Sequence, residues 1–437
     1  MKQDGKTRGH SRPRIATLVV LLAALLTAVG LAITGPVAPP ADAAQDRAST
    51  PECAAGVDFL GFSDALNKRT YEGTSVGGLS ALTYDGRRGV YYSLVDNGPA
   101  ATSEARFYTL RIPTKGGLLG NPEILDVTTL RDASGQPFTA SNFDGEGLTL
   151  TRRGDLLASS ETEPSIRRFS IDGELLEELP VPQKFRVAPE GQATPNQTFE
   201  SLSLSPNSRS LFTAVEEPLA LDGNFLEELP VPQKFRVAPA GQAQRNQTFE
   251  SLALAPNGRS LFTAVEGPLA PDGQTAEGEN RIRILRYEDR GPGGFQPVEE
   301  FFYLTEPGQG VVEIVALSED ELLVLERGFQ SGVGNTVRVY KVSLDGAEDV
   351  SDEPSLAAPG LEPVEKELLV DLADCPSGGA TTPGTQPNPL LDNYESLTLG
   401  PRLPGGRRSL LLQSDDNFSA GQVTRVVALG VENGQLR

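Results

Sequence analysis

The sequence predicts an all-β fold, a β-propeller of about five full four-stranded blades plus one partial blade-like unit. Three observations predict it. An acidic residue, an alternating apolar run, a turn, a second apolar run and a second acid recur in that order along the chain. A third and a fourth strand-like run usually follow each such pair. No convincing long amphipathic helix occurs after residue 43. Four antiparallel strands per unit, repeated at tens of residues, is the propeller pattern, with a β-sandwich as the competing all-β reading.

Taken in order, the first and second strands are GGLSALTYDGRRGVYYSLVDNG (77–98), DGEGLTLTRRGDLLASSE (144–161), FESLSLSPNSRSLFTAVE (199–216), FESLALAPNGRSLFTAVE (249–266), VEIVALSEDELLVLE (312–326) and YESLTLGPRLPGGRRSLLLQSDD (394–416). Their Leu-x-Leu alternation is strand-like, and the Pro-Asn-Gly type of interruption is a turn. Third strands are expected at 105–112, 165–171, 281–287, 336–344 and 424–431, and fourth strands at 122–130, 174–182, 295–304 and 366–372. The last unit has no fourth strand of its own, and residues 57–76 are placed to supply it and close the ring.

The partial unit comes from a duplication. Residues 172–221 recur as 222–271 with 40 of 50 positions identical. The copied segment skips a third strand, so a unit of three strands, or one partly extruded, is expected.

Composition narrows the chemistry. The only histidine is His10 and the only methionine is the initiator. A Ser-His-Asp or Cys-His system and a histidine zinc site are therefore excluded from residues 44–437. Residues 1–43 combine a basic head, an apolar run from Ile15 to Ile33 and Ala41-Asp42-Ala43, and read as a signal peptide or an uncleaved anchor. Residues 44–76 form an N-terminal segment with the closing strand, and 77–437 the propeller domain. The chain is expected outside the cytoplasm, secreted or envelope-associated, meeting a membrane only if residues 1–43 are retained. The net charge of −21 becomes −24 without that segment, which disfavours nucleic acid. Cys53 and Cys375, the only cysteines, are expected to pair and clamp the closure seam.

In a propeller the start of each first strand and the end of each second strand share one face. The recurring acids fall there: Glu146 with Glu161, Glu200 with Glu216, Glu250 with Glu266, Glu313 with Glu326, and Glu395 with Asp415, while the first blade offers Asp96. Two carboxylate rings at one channel mouth raise each other's pKa or require a cation, and Ca²⁺ suits hard oxygen ligands in an irregular array. The competing reading is that these acids cap strands and pair with Arg106, Arg167, Arg283, Arg338 and Arg425 of the third strands. Asn417 lies in a polar run, SDDNFSAGQVTR (414–425), as a candidate substrate contact.

The motifs DGEGLTL, FESLALAPNGRSLFTAVE, RIRILRY and YESLTLG…LLLQSDDNFSAGQVTRVVALGV resemble the phytase-like family, also called the "esterase-like activity of phytase" domain, over roughly residues 70–431. The resemblance implies a propeller that hydrolyses phosphoesters, with its acids on Glu146, Glu250, Glu266, Glu326, Glu395 and Asp415. The chain departs from that pattern in its extra copy around Glu200 and Glu216, and the second copy, which leads into RIRILRY, is favoured as the working one.

The expected protein is thus a monomeric, calcium-dependent phosphoesterase acting on a small anionic or ester substrate at neutral to alkaline pH. Glu146, Glu250 and Glu395 are the expected catalytic carboxylates. Asp96, Glu161, Glu266, Glu313, Glu326 and Asp415 are the expected metal ligands. Arg167, Arg283, Arg338, Arg425 and Asn417 are the expected substrate contacts. A non-catalytic binding propeller and a calcium-dependent lactonase or esterase are the alternatives.

Overall fold

A computed structural model of the chain describes residues 51–96, 102–114, 117–181, 183–191, 193, 198–205, 211–215, 229–245, 247–291 and 294–436. Residues 1–43, with the signal or anchor assigned to them, and Glu216 lie outside the described residues.

Two strands, β1 (Glu52–Ala54) and β2 (Val57–Ser63), precede a small hairpin of β3 (Thr70–Tyr71) and β4 (Thr74–Ser75). The first blade is β5 (Leu79–Asp85), β6 (Val90–Val95), β7 (Arg106–Arg111) and β8 (Glu123–Thr129), and the second is β9 (Gly145–Leu150), β10 (Leu156–Ser160), β11 (Ser165–Phe169) and β12 (Leu175–Leu179). The duplicated unit contributes β13 (Phe199–Leu204) and β14 (Leu211–Val215). Two further blades follow: β15 (Phe249–Leu254), β16 (Ser260–Val265), β17 (Glu279–Asp289) and β18 (Phe295–Pro307), then β19 (Gly310–Ala316), β20 (Glu321–Gln330), β21 (Gly334–Ser343) and β22 (Glu365–Asp371). The chain ends with β23 (Tyr394–Leu403), β24 (Arg407–Ser414) and β25 (Val426–Glu432).

Four sheets are simple antiparallel meanders of four strands, and the fifth has the order β1-β2-β25-β24-β23. The N-terminal β2 therefore completes the C-terminal blade, and β1 adds a fifth strand outside it. The Cys53–Cys375 disulfide fastens this seam, because Cys53 lies on β1 and Cys375 just beyond β22 of the neighbouring blade.

The first strands form the inner ring. β5 packs against β9, β9 against β13, β13 against β15, β15 against β19, β19 against β23, and β23 against β5. The duplicated unit is thus a sixth member of the ring, and among the described residues it is a two-stranded sheet rather than a three-stranded one. Both copies of the repeat line the centre. Gly147 permits one of these contacts: a Cβ there would lie 2.5 Å from the Glu200 carbonyl oxygen and 2.8 Å from the Leu202 nitrogen.

Apolar side chains fill the spaces between adjacent blades, as alternation along each strand requires. Phe262, Ile284 and Tyr303 share one core with Ile314, Val324 and Tyr340 of the next blade. Val339 and Leu325 share another with Leu412, Leu429 and Val57 across the closing blade.

Candidate functional site

The inner strands do not pair regularly with their neighbours. Each has a β-bulge at its start. Leu79 pairs with Val95 but Ala81 with Leu94, so Ser80 is the extra residue. In the same way Glu250 is skipped between Phe249↔Val265 and Ser251↔Ala264, and Glu395 between Tyr394↔Ser414 and Ser396↔Gln413. Glu146 and Glu200 fall within the corresponding irregular stretches of β9 and β13. Bulges re-aim side chains and are frequent beside functional sites. Here they turn a column of glutamates toward the channel.

Those side chains line a cavity of about 270 Å³. Glu146, Glu200, Glu250, Glu313 and Glu395 share its wall with Arg327 and Ser80.

A second tier comes from the residues after the second strands. The backbone N–H groups of Asp96, Glu161, Glu266 and Asp415 donate to the carbonyls of Gly78, Asp144, Thr248 and Asn393, the residues just before the inner strands. This repeated bond fixes one equivalent position per blade. In the β19–β22 blade the equivalent pair is Gly310 with Arg327, so the position belongs to an arginine.

Glu326 is therefore not a member of the tier, which corrects the sequence expectation. It precedes the tier by one residue, and a one-residue offset in a strand puts the side chain on the opposite face. Glu326 is fully buried and accepts from the Tyr303 hydroxyl at 2.5 Å, the Glu306 N–H at 2.8 Å and Lys366 Nζ at 2.9 Å. It is a structural acid paired with Lys366. Glu313 is displaced similarly: Val311 pairs with Glu326 and Glu313 with Leu325, so Val312 takes the bulge. Glu313 still reaches the cavity, one residue further along the strand than the other wall glutamates.

Arg327 donates to Asn393 Oδ1 at 2.5 Å and to Glu395 Oε1 at 2.7 Å, and its second terminal nitrogen is 3.9 Å from Glu266. Asn393 Nδ2 also donates to Glu395, at 2.9 Å. Glu395 and Glu266 hold the guanidinium firmly protonated against the effect of its burial.

The four arginines expected to meet substrate are elsewhere, and none lines the cavity. Arg283 is fully buried between Asp272, at 2.8 Å, and Glu300, at 2.9 Å. Arg425 pairs with Asp64 at 2.6 Å, Arg338 with Asp371 at 2.6 Å and Arg167 with Glu178 at 3.0 Å. Arg167, Arg283 and Arg338 lie on third strands and Arg425 just before one, and all are committed to acids of outer strands and loops. Asn417 is exposed in a left-handed turn, its N–H donating to Asp415 Oδ1 at 2.8 Å.

The acidic side of the mouth is dense. Asp96, Asp144 and Glu146 offer one oxygen each, all within 4.8 Å of one another. Burial raises the Glu146 pKa well above the carboxylate range, and Asp96, Asp144 and Glu161 push it further. Burial does the same to Glu200, with Glu250, Glu146 and Glu161 adding to it. Glu161 is raised by burial, although the Glu200 carboxyl and the Thr198 N–H, at 3.1 Å, counter this. Burial raises Asp415 to about 7, with Glu395 contributing.

Sequence reasoning missed three members: Asp144, Arg327 and Asn393. Asp144 opens the motif DGEGLTL, and Arg327 stands one residue beyond the acid that seemed to occupy its slot.

Fold and site together define a class: an acid-lined β-propeller, its closing seam fastened by a disulfide, whose channel mouth is braced by Arg327. The phytase-like family, described as "esterase-like activity of phytase", matches over residues 74–224 and 219–418, and the chain belongs to that family. The two matched stretches meet inside the duplication. No curated protein matches the chain. Solved structures of similar architecture include the periplasmic gluconolactonase of Pseudomonas aeruginosa, 16% identical over 82% of this chain and 86% of its own, with a TM-score of 0.38. A calcium-bound carbohydrate-active enzyme of family AA12 from Trichoderma reesei is 11% identical over 87% of this chain and 96% of its own, with a TM-score of 0.45. A Dyadobacter fermentans protein of unknown function is 11% identical over 87% of this chain and all of its own, with a TM-score of 0.43. The disulfide suits an extracytoplasmic location. Among the described residues no helix is long and apolar enough to cross a membrane.

Proposed function

We propose that the chain is an exported, calcium-dependent hydrolase of phosphoesters working at this channel mouth. The observation that carries the reading is the convergence of Asp96, Asp144 and Glu146 on one point, with Glu146 also on the wall of the cavity that Arg327 lines.

The donor set fits the ion. All three candidate ligands are hard carboxylate oxygens, and the pKa of Glu146, raised first by burial and then by the acids around it, marks a carboxylate that a divalent cation would stabilise. Bound there, Ca²⁺ would supply the positive charge that draws an anionic ester into an acidic cavity. Arg327 offers a planar fork of donors for a second substrate oxygen, and Glu395 and Asn393 hold that fork in place. Glu250, on the cavity wall, takes the proton of the attacking water.

The test is phosphate release from phytate and from an aryl phosphate, with calcium and with chelator, for the wild type and Asp144→Asn. Calcium-dependent release lost in the variant supports the reading. Turnover confined to carboxylic esters or lactones would move the assignment to an esterase or lactonase. No turnover, with calcium raising the Tm, would make the protein a binding propeller.

A further inference from the structure

Glu313 stands apart from the other acids of the cavity wall. It is outside the Asp96–Asp144–Glu146 cluster and outside the Arg327 bridge. Its carboxylate accepts from the Ile314 N–H at 2.8 Å. The charged groups on elements packed against β19 are Glu250 on β15, Glu266 after β16, Glu321, Glu326 and Arg327 on β20, and Glu395 and Arg402 on β23. Burial, not these neighbours, sets its ionisation, raising the pKa to about 8 against the opposing Ile314 N–H. Glu313 is therefore largely a neutral acid at pH 7, and it lines the cavity.

Ester cleavage leaves an oxygen that needs a proton, and a group with a pKa near the working pH supplies it best. The chain's single histidine is His10, in the segment expected to be removed on export. Arg327 is held protonated by its two glutamates. Resting on the hydrolase reading above, we propose that Glu313 is the general acid that protonates the leaving group, not a ligand of the metal. Water forms the new bond to phosphorus and gives up its proton to Glu250. The bond from phosphorus to the leaving oxygen breaks, its electron pair stays on that oxygen, and the Glu313 proton moves there. The Glu250 proton passes through solvent to restore Glu313.

The test compares Glu313→Gln with the wild type on an alkyl phosphate, whose leaving group needs a proton, and on nitrophenyl phosphate, whose leaving group does not. The variant should slow the alkyl ester by about 10²-fold or more and leave the nitrophenyl ester within about tenfold. It should also abolish the fall in alkyl ester activity above about pH 8. Independently of turnover, the wild type should show an infrared band of a protonated carboxyl at pH 7 that is missing from the variant. An active wild type with both esters slowed alike, or with no such band, overturns this proposal alone. A wild type inactive on both esters overturns the hydrolase reading and this proposal with it.

Discussion

Arg327 and Glu395 lie 2.7 Å apart, joining the second strand of one blade to the first strand of the next. Arg327 is the single cation among the residues that line the cavity, facing five glutamates there. Arg327→Gln should therefore act twice. It leaves Glu395 and Glu266 without their counter-charge, at a cost of about 3 kcal/mol, the low end for breaking such a pair when it is only partly buried. It should also raise KM for an anionic ester. Arg327→Lys should restore most of the Tm but not the KM, because an ammonium lacks the fork. A double-mutant cycle with Glu395→Gln, followed by thermal melts, measures the coupling.

The buried acids set the pH dependence of stability. Asp415 rises to about 7 and Glu313 to about 8, and Glu146 and Glu200 rise too. A raised native pKa means that the folded state holds protons the unfolded chain has released. The associated stability is complete below the unfolded value near pH 4, and it is lost as pH climbs through the native one. Without calcium, the Tm should fall between about pH 5 and pH 8.5. Glu313→Gln should flatten the upper part of that fall. Calcium should oppose the whole of it, giving about 2.7 kcal/mol at a hundredfold excess over Kd. A melt series with calcium and with chelator decides the sign.

The fold was legible because its signals are periodic and local. Leu-x-Leu alternation and Pro-Asn-Gly turns mark strands one at a time, and β2 could be assigned to the last blade because that blade lacked a strand. The carboxylate wall was legible for the same reason, since Phe-Glu-Ser-Leu and Tyr-Glu-Ser-Leu repeat. Register was not. A bulge adds one residue without a sequence mark, and it falls on Glu250 in one blade but on Val312 in another. On the second strand of that blade the acid is likewise one residue out of place, so Glu326 lies off the channel and Arg327 on it. Arginines recur in the third-strand runs, and the recurrence does not say that their partners, such as Asp272 and Asp371, lie on the outside.

The placement predicts opposite behaviour at two acids, Glu326 off the channel and Asp144 in the acid cluster. Glu326 is buried with Lys366, Tyr303 and the Glu306 N–H as partners. Glu326→Ala should destabilise by about 3–5 kcal/mol, since it leaves a lysine without its buried partner. Whatever protein still folds should keep its KM and its calcium response. Asp144→Asn should do the reverse, with a small loss of Tm in chelator and no calcium-induced rise. Paired calorimetry and kinetics on the two variants separate a structural acid from a functional one.

The Cys53–Cys375 bond should control the order of unfolding. It closes a loop with a sequence separation of 322 residues. In the chain-entropy account a loop of that length is worth about 6 kcal/mol. The edge it protects is short: β1 has three residues and pairs only with β2, and β2 joins the last blade through β25. Cys53→Ser with Cys375→Ser should therefore lower the Tm and expose this edge first. Amide exchange should speed up across β1 and β2 before it changes in β16 or β17, which lie inside a sheet remote from the seam. Uniform acceleration across all sheets would mean that the bond acts on the whole ring and not on its closure.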